Sequence, residues 1–168
     1  MPEIIEVWLR GPVDGVPALL QPAAHAILQA REEINAFMKN FPDALLWEKP
    51  AGMASAGFHL QHISGILDRL FTYARDEQLS ADQLKYLSSE GKTQETVTTN
   101  QLIEKLNDQV DIAISHLQNT NSQTLTEQRV VGRKQIPSTV IGLLFHAAEH
   151  TQRHTGQLLV TAKIIWQQ

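Results

Sequence analysis

Apolar residues in this chain recur at three- and four-residue steps through four long stretches and rarely alternate as a strand would, which is the strongest constraint on its fold. Leu19, Leu20, Ala23, Ala24, Ile27, Ile34, Phe37 and Met38 mark the first stretch, from about Val16 to Lys39. Pro17 suits a first turn, whereas Pro22 would remove a donor inside a helix and predicts a kink or a later start. The second runs from about Ser55 to Asp76 on Phe58, Ile63, Ile66, Leu67, Leu70 and Phe71. The third, from about Thr98 to Leu117, carries Leu102, Ile103, Leu106, Val110, Ile114 and Leu117, with Thr98 and Gln101 at capping-box spacing. The fourth enters at Pro137 and Ser138 and continues to about Trp166.

Between the second and third stretches, LSADQLKYLSSEG reads as a short helix with a Ser80/Gln83 capping box, stopped by Gly91. The connector NFPDALLWEKPAGMAS holds two prolines and Trp47, which reads as exposed. Only IIEVWL and RVV look extended, and neither has an evident partner. The expected architecture is all-α: an antiparallel four-helix bundle with a short extra helix, forming a single domain over residues 1–168. A chain of this length buries roughly 70% of its unfolded surface, enough for one proper core.

Charge and cysteine content narrow the function classes. The net charge is −4 and the pI about 5.9, so there is no basic field to attract nucleic acid or anionic lipid. No apolar run approaches the ~20 residues needed to span a bilayer. The start, MPEIIEVWLRG, lacks the basic segment and long apolar run of a secretory signal, so a cytoplasmic location is expected. The absence of cysteine excludes a disulfide scaffold, a thiolate zinc site and a cysteine nucleophile. Seven histidines leave imidazole and carboxylate as the candidate metal ligands.

Three of those histidines, His146, His150 and His154, stand four residues apart in HAAEHTQRHTGQL. A four-residue step turns about 40° and rises about 6 Å, so adjacent members can meet on one ion while the outer two are two steps apart. A further ligand must come from another helix, and the second offers His62, on its apolar stripe, and His59, about 60° around from it. His25 and His116 stand alone and read as structural. Spacing by itself leaves two readings, a metal site or a hydrogen-bonded polar layer. Burying several imidazoles without partners costs a few kcal/mol each, which favours the metal.

The combination of SAGFHLQHISGILDRLFTYAR with HTQRHTGQL resembles the DinB superfamily, which includes the YfiT-like proteins, from Trp47 through the last helix. That resemblance implies a four-helix bundle binding a divalent ion, commonly nickel or zinc, through one histidine of the second helix and two of the last. Carried onto this chain, the ligands are His62, His150 and His154, with His59 as the alternative for the second helix and His146 lining the pocket. His-Thr-Gly-Gln stands here where the family often has His-Arg-Gly-Gln, which affects substrate contacts more than the metal.

Three neutral ligands leave coordination positions open, as in catalytic sites. The family's activities imply either transfer or isomerisation with a low-molecular-weight thiol, or hydrolysis, of a small-molecule substrate. Glu149 is the candidate general base, and Arg133, with Arg129 and Arg153, is a candidate for neutralising an anionic substrate. Asp68, Arg69 and Tyr73 read as local structural contacts. The competing expectation is a non-catalytic bundle in which the ion stabilises packing or a homodimer.

Overall fold

A computed structural model describes residues 5–166. The long helices are α1 (Gln21–Phe37), α2 (Ala56–Ala74), α4 (Thr99–Asn119) and α5 (Val140–Ile165), with the short α3 (Ala81–Ser89) between α2 and α4. This is the all-α bundle with an extra short helix that the apolar spacing predicts. Around the bundle the order is α1, α5, α2, α4 and back to α1. Arg31 pairs with Asp111 and Asn35 with Asn107, so α1 and α4 run antiparallel. His59 meets His154 and His62 meets His150, so α2 and α5 do the same. Long crossovers before α4 and before α5 permit this arrangement.

The helix ends follow local chemistry. Both capping boxes, Ser80 with Gln83 and Thr98 with Gln101, are formed, and Ser55 caps α2 by accepting from the Phe58 amide. Pro22 sits in the first turn of α1, where its missing N–H costs nothing, so the helix starts at Gln21 after a short 3₁₀ turn at Ala18–Leu20. The core closes on Leu20, Ile27, Ile34 and Met38 from the first stretch, Leu60, Ile63 and Leu67 from α2, Leu106 and Leu117 from α4, and Leu144 and Leu158 from α5.

Three local expectations change. RVV does have a partner: β1 (Gln128–Val131) pairs antiparallel with β2 (Ile136–Thr139), with Val130 opposite Pro137. Proline is tolerated there because a two-stranded ribbon has only edge strands. Pro137 and Ser138 therefore belong to a strand, and Thr139 caps α5 by accepting from the Gly142 amide. The described part of IIEVWL, by contrast, is not a strand. Ile4 lies outside the described residues, and Val7–Arg10 forms a 3₁₀ helix whose Val7 amide is taken by Gln29.

Trp47, read as exposed, is partly buried and packs against the core. Its ring lies on α2 at Gly57, where an added Cβ would come within 2.6 Å of ring carbon Cζ3. Gly57 also donates its amide to the Leu46 carbonyl, which holds the connector onto the helix. Gly57→Ala raises helix propensity by about 1 kcal/mol but forces the indole away. We predict that this variant melts about 2–8 °C below the parent, with a shifted tryptophan emission, because overpacking costs outweigh the propensity gain. An unchanged melting temperature and emission would contradict this packing.

Candidate metal centre

The antiparallel register of α2 and α5 brings four imidazoles into one cluster. His62 Nε2 lies 3.0 Å from His150 Nε2, and His59 Nδ1 lies 2.9 Å from His154 Nδ1. The ring of His154 is 4.5 Å from that of His62 and 4.7 Å from that of His150, centroid to centroid. One ligand nitrogen from each of His62, His150 and His154 falls within a mutual 4.8 Å. Phe58 stacks on His62 with ring centroids 5.1 Å apart and meets His59 and His154 edge-on, forming an apolar wall.

Hydrogen bonds behind the rings orient two of these nitrogens. His62 Nδ1 is 2.7 Å from Glu90 Oε2, and a carboxylate only accepts, so Nδ1 carries the proton and Nε2 presents a lone pair. His59 and His154 share a single Nδ1···Nδ1 hydrogen bond, which positions the His154 ring from behind. His59 is thus the buried partner of His154, while His62 joins the three-nitrogen group. His150 Nδ1 is buried without a hydrogen-bond partner, so the tautomer of this ring is not fixed from behind.

Burial favours the neutral form of His59, His150 and His154. The histidine value of 6.5 falls to about 4 for His59 and about 3 for His154, through desolvation first and then neighbouring imidazoles. His150 is lowered for the same reasons, with Arg153 adding to the shift and Glu149 opposing it. Neutral imidazole is the form that binds metal. Two nitrogens held by one ion at about 2.0–2.1 Å lie roughly 3–3.5 Å apart, so the spacing of His62 and His150 suits a shared ion. The donor set therefore fits a divalent cation at His62, His150 and His154.

The remaining candidates are placed differently. His146 is exposed and bonds through Nδ1 to Glu149 Oε1 at 2.6 Å, while Glu149 Oε2 accepts from Arg153 at 3.0 Å. His146, Glu149 and His150 form a second group of metal-ligating type sharing His150, but at the exposed rim and with its carboxylate already engaged. Arg129 donates to the Ala74 carbonyl and pairs with Glu127, so it anchors the hairpin. Arg133 is exposed in the hairpin turn, next to Gly132, which lies by the Tyr73 hydroxyl. Tyr73 is about 16 Å along α2 from His62, so the fold does not bring Arg133 into the cluster. His25 bonds to the Gly11 carbonyl and His116 to Arg75, both apart from it.

Sequence reasoning missed Glu90. It follows α3, 28 residues beyond His62, and an acidic residue before a helix-stopping glycine is no signal of a contact with a histidine on another helix. Arg69 is also more than a local contact, because its Nη1 donates to Glu90 Oε1.

A family model described as DinB superfamily matches residues 26–158, which include every member of the cluster. The chain belongs to the DinB superfamily. The resemblance carried by the two histidine motifs is thus established across most of the chain. A similar solved structure is that of a conserved protein from Enterococcus faecalis, 16% identical, covering 87% of this chain and 96% of that one with a TM-score of 0.72. At that identity it shows a shared fold and no more. No curated protein matches the chain. Among the described residues, no helix is long and apolar enough to cross a membrane.

The lowered histidines predict an acid-sensitive cluster. Below 6.5 the unfolded chain takes up protons that His59 and His154 refuse until about 4 and about 3, so stability falls as pH drops through this window. In metal-free protein the urea midpoint should decline from pH 6.5 to 4, and His59→Gln/His154→Gln should flatten the decline. An equally steep decline in that variant would contradict the assignment.

Proposed function

We propose that this protein is a metal-dependent enzyme that transfers a low-molecular-weight thiol to a small-molecule acceptor. The observation that carries the reading is the convergence of three imidazoles, His62, His150 and His154, at a partly exposed point of the bundle. A closed structural zinc site takes four protein ligands, whereas three leave room for a reactant. The ion, nickel or zinc, would lower the pKa of a coordinated nucleophile and polarise the acceptor.

The surrounding residues favour a thiol nucleophile over water. Glu149 has one oxygen on His146 and the other on Arg153, and Glu90 is shared between His62 and Arg69. Neither carboxylate stands ready to take a proton from water, and a thiol, which ionises near pH 8.5, needs the least help. A cavity of about 750 Å³ adjoins the cluster through His59 and Arg153. Its walls of Pro50, Met53, Val160 and Ile164 suit an apolar acceptor body, and Arg153 suits an anionic end group. His59 holds His154 in place, and Phe58 shields one side of the cluster from water. Arg153, rather than Arg133, takes the role of substrate cation.

Elemental analysis of untagged protein is expected to give about one equivalent of divalent metal, and His150→Ala/His154→Ala none, with helical circular dichroism unchanged. Loaded parent should conjugate small thiols to anionic electrophiles, the double variant should not, and Arg153→Ala should raise KM about tenfold, or about 1.4 kcal/mol. A well-folded parent that binds neither zinc nor nickel on reconstitution would sink the proposal. Metal-dependent hydrolysis without thiol conjugation would replace transfer with the hydrolytic reading.

A further inference from the structure

Glu90 is a carboxylate whose side chain is only 4% exposed, paired with an Arg69 side chain 7% exposed. A buried ion pair of this kind adds little to stability, since apolar residues of similar volume often do as well or better. Several other residues nonetheless keep it in place. Gly65 lacks a Cβ at the point where one would overlap both Glu90 Oε1 and Arg69 Nη1. Gly91, at φ +74°, donates its amide to Gln61 Oε1 at 2.8 Å, and the Tyr86 hydroxyl donates to the Gln61 carbonyl at 3.1 Å. The loop after α3 is therefore pinned to α2 from both sides of Glu90.

All of this converges on one atom outside the ion pair. Glu90 Oε2 is 2.7 Å from His62 Nδ1, and the opposite nitrogen of that ring is the one 3.0 Å from His150 Nε2. Of the three rings that converge, His62 alone has a charged group behind it, whereas His154 has His59 and His150 Nδ1 has no partner.

We propose that Glu90 is a positioning residue of the metal centre: held by Arg69 in the space left by Gly65, its carboxylate fixes His62 as the Nδ1–H tautomer and turns Nε2 toward His150 and His154. This rests on the metal reading above, although the tautomer it sets exists without metal. An acidic partner behind a metal-bound imidazole usually fixes the ring's orientation and tautomer in this way. Glu90 touches neither metal nor substrate and acts through His62.

Two variants separate charge from fold. Glu90→Gln removes the charge and leaves a single acceptor oxygen, which the buried Arg69 guanidinium takes, so that an amide N–H faces His62 Nδ1. Arg69→Met/Glu90→Leu removes both charges, so that no guanidinium is left buried and unpaired. Zinc affinity is read by competition with a chromophoric chelator, the His62 tautomer by long-range proton–nitrogen spectra of metal-free protein, and the fold by circular dichroism and melting. The double variant is expected to remain helical, to bind zinc about 10- to 100-fold more weakly, and to show His62 as a mixture of tautomers. Glu90→Gln should also bind zinc more weakly than the parent and shift His62 away from the Nδ1–H form. Parent-like zinc affinity in a folded double variant, or a His62 that stays purely Nδ1–H without Glu90, would overturn the proposal. A parent that binds no zinc would defeat the metal reading, and the tautomer spectra would then decide the role of Glu90 alone.

Discussion

The antiparallel contact between α2 and α5 sets everything the site can do. A helix residue advances about 1.5 Å along the axis and 100° around it, so one residue of slip between the two helices would separate the imidazole pairs. The register is fixed by fully buried apolar residues, Leu60, Ile63 and Leu67 on α2 and Leu144 and Leu158 on α5, which flank the histidines along both helices. Hydrophobic burial thus holds polar rings where they would not gather unaided, and the desolvation that follows favours the neutral form of His59, His150 and His154.

That arrangement conflicts with stability. Imidazoles in a partly dry cluster lose solvation, and His150 Nδ1 has no partner at all among the described residues. The Arg69–Glu90 pair adds a buried charge of each sign at a place where apolar side chains would serve the fold as well. Such departures from the best packing are expected where a fold carries chemistry. The two named here lie on either side of His62, at the α2–α5 contact on which the proposed site rests.

Features governed by short-range chemistry were legible in the sequence. The capping boxes at Ser80 and Thr98, the start of α1 at Gln21 with Pro22 in its first turn, and the four apolar stripes depend on residues within a turn or two of one another. The histidine run was also legible, and the family motifs paired it with His62. Contacts across sequence distance were not. Trp47 lies in a slot made by a missing Cβ at Gly57, ten residues away, and nothing in either residue alone indicates it. Pro137 reads as a helix entry, yet it stands in a two-stranded ribbon, whose edge strands accommodate proline. Glu90 reaches His62 only because α3 and its loop fold back over α2.

X-ray absorption at the metal edge of the loaded protein tests the central claim most directly, because it reports the atoms around the ion and not the consequences of binding. The account predicts a first shell containing three nitrogen scatterers with the multiple-scattering pattern of imidazole, completed by light atoms that a small thiol replaces with sulfur. A shell of oxygens alone, or one or two imidazoles with carboxylate as expected for the His146 and Glu149 rim, would contradict it.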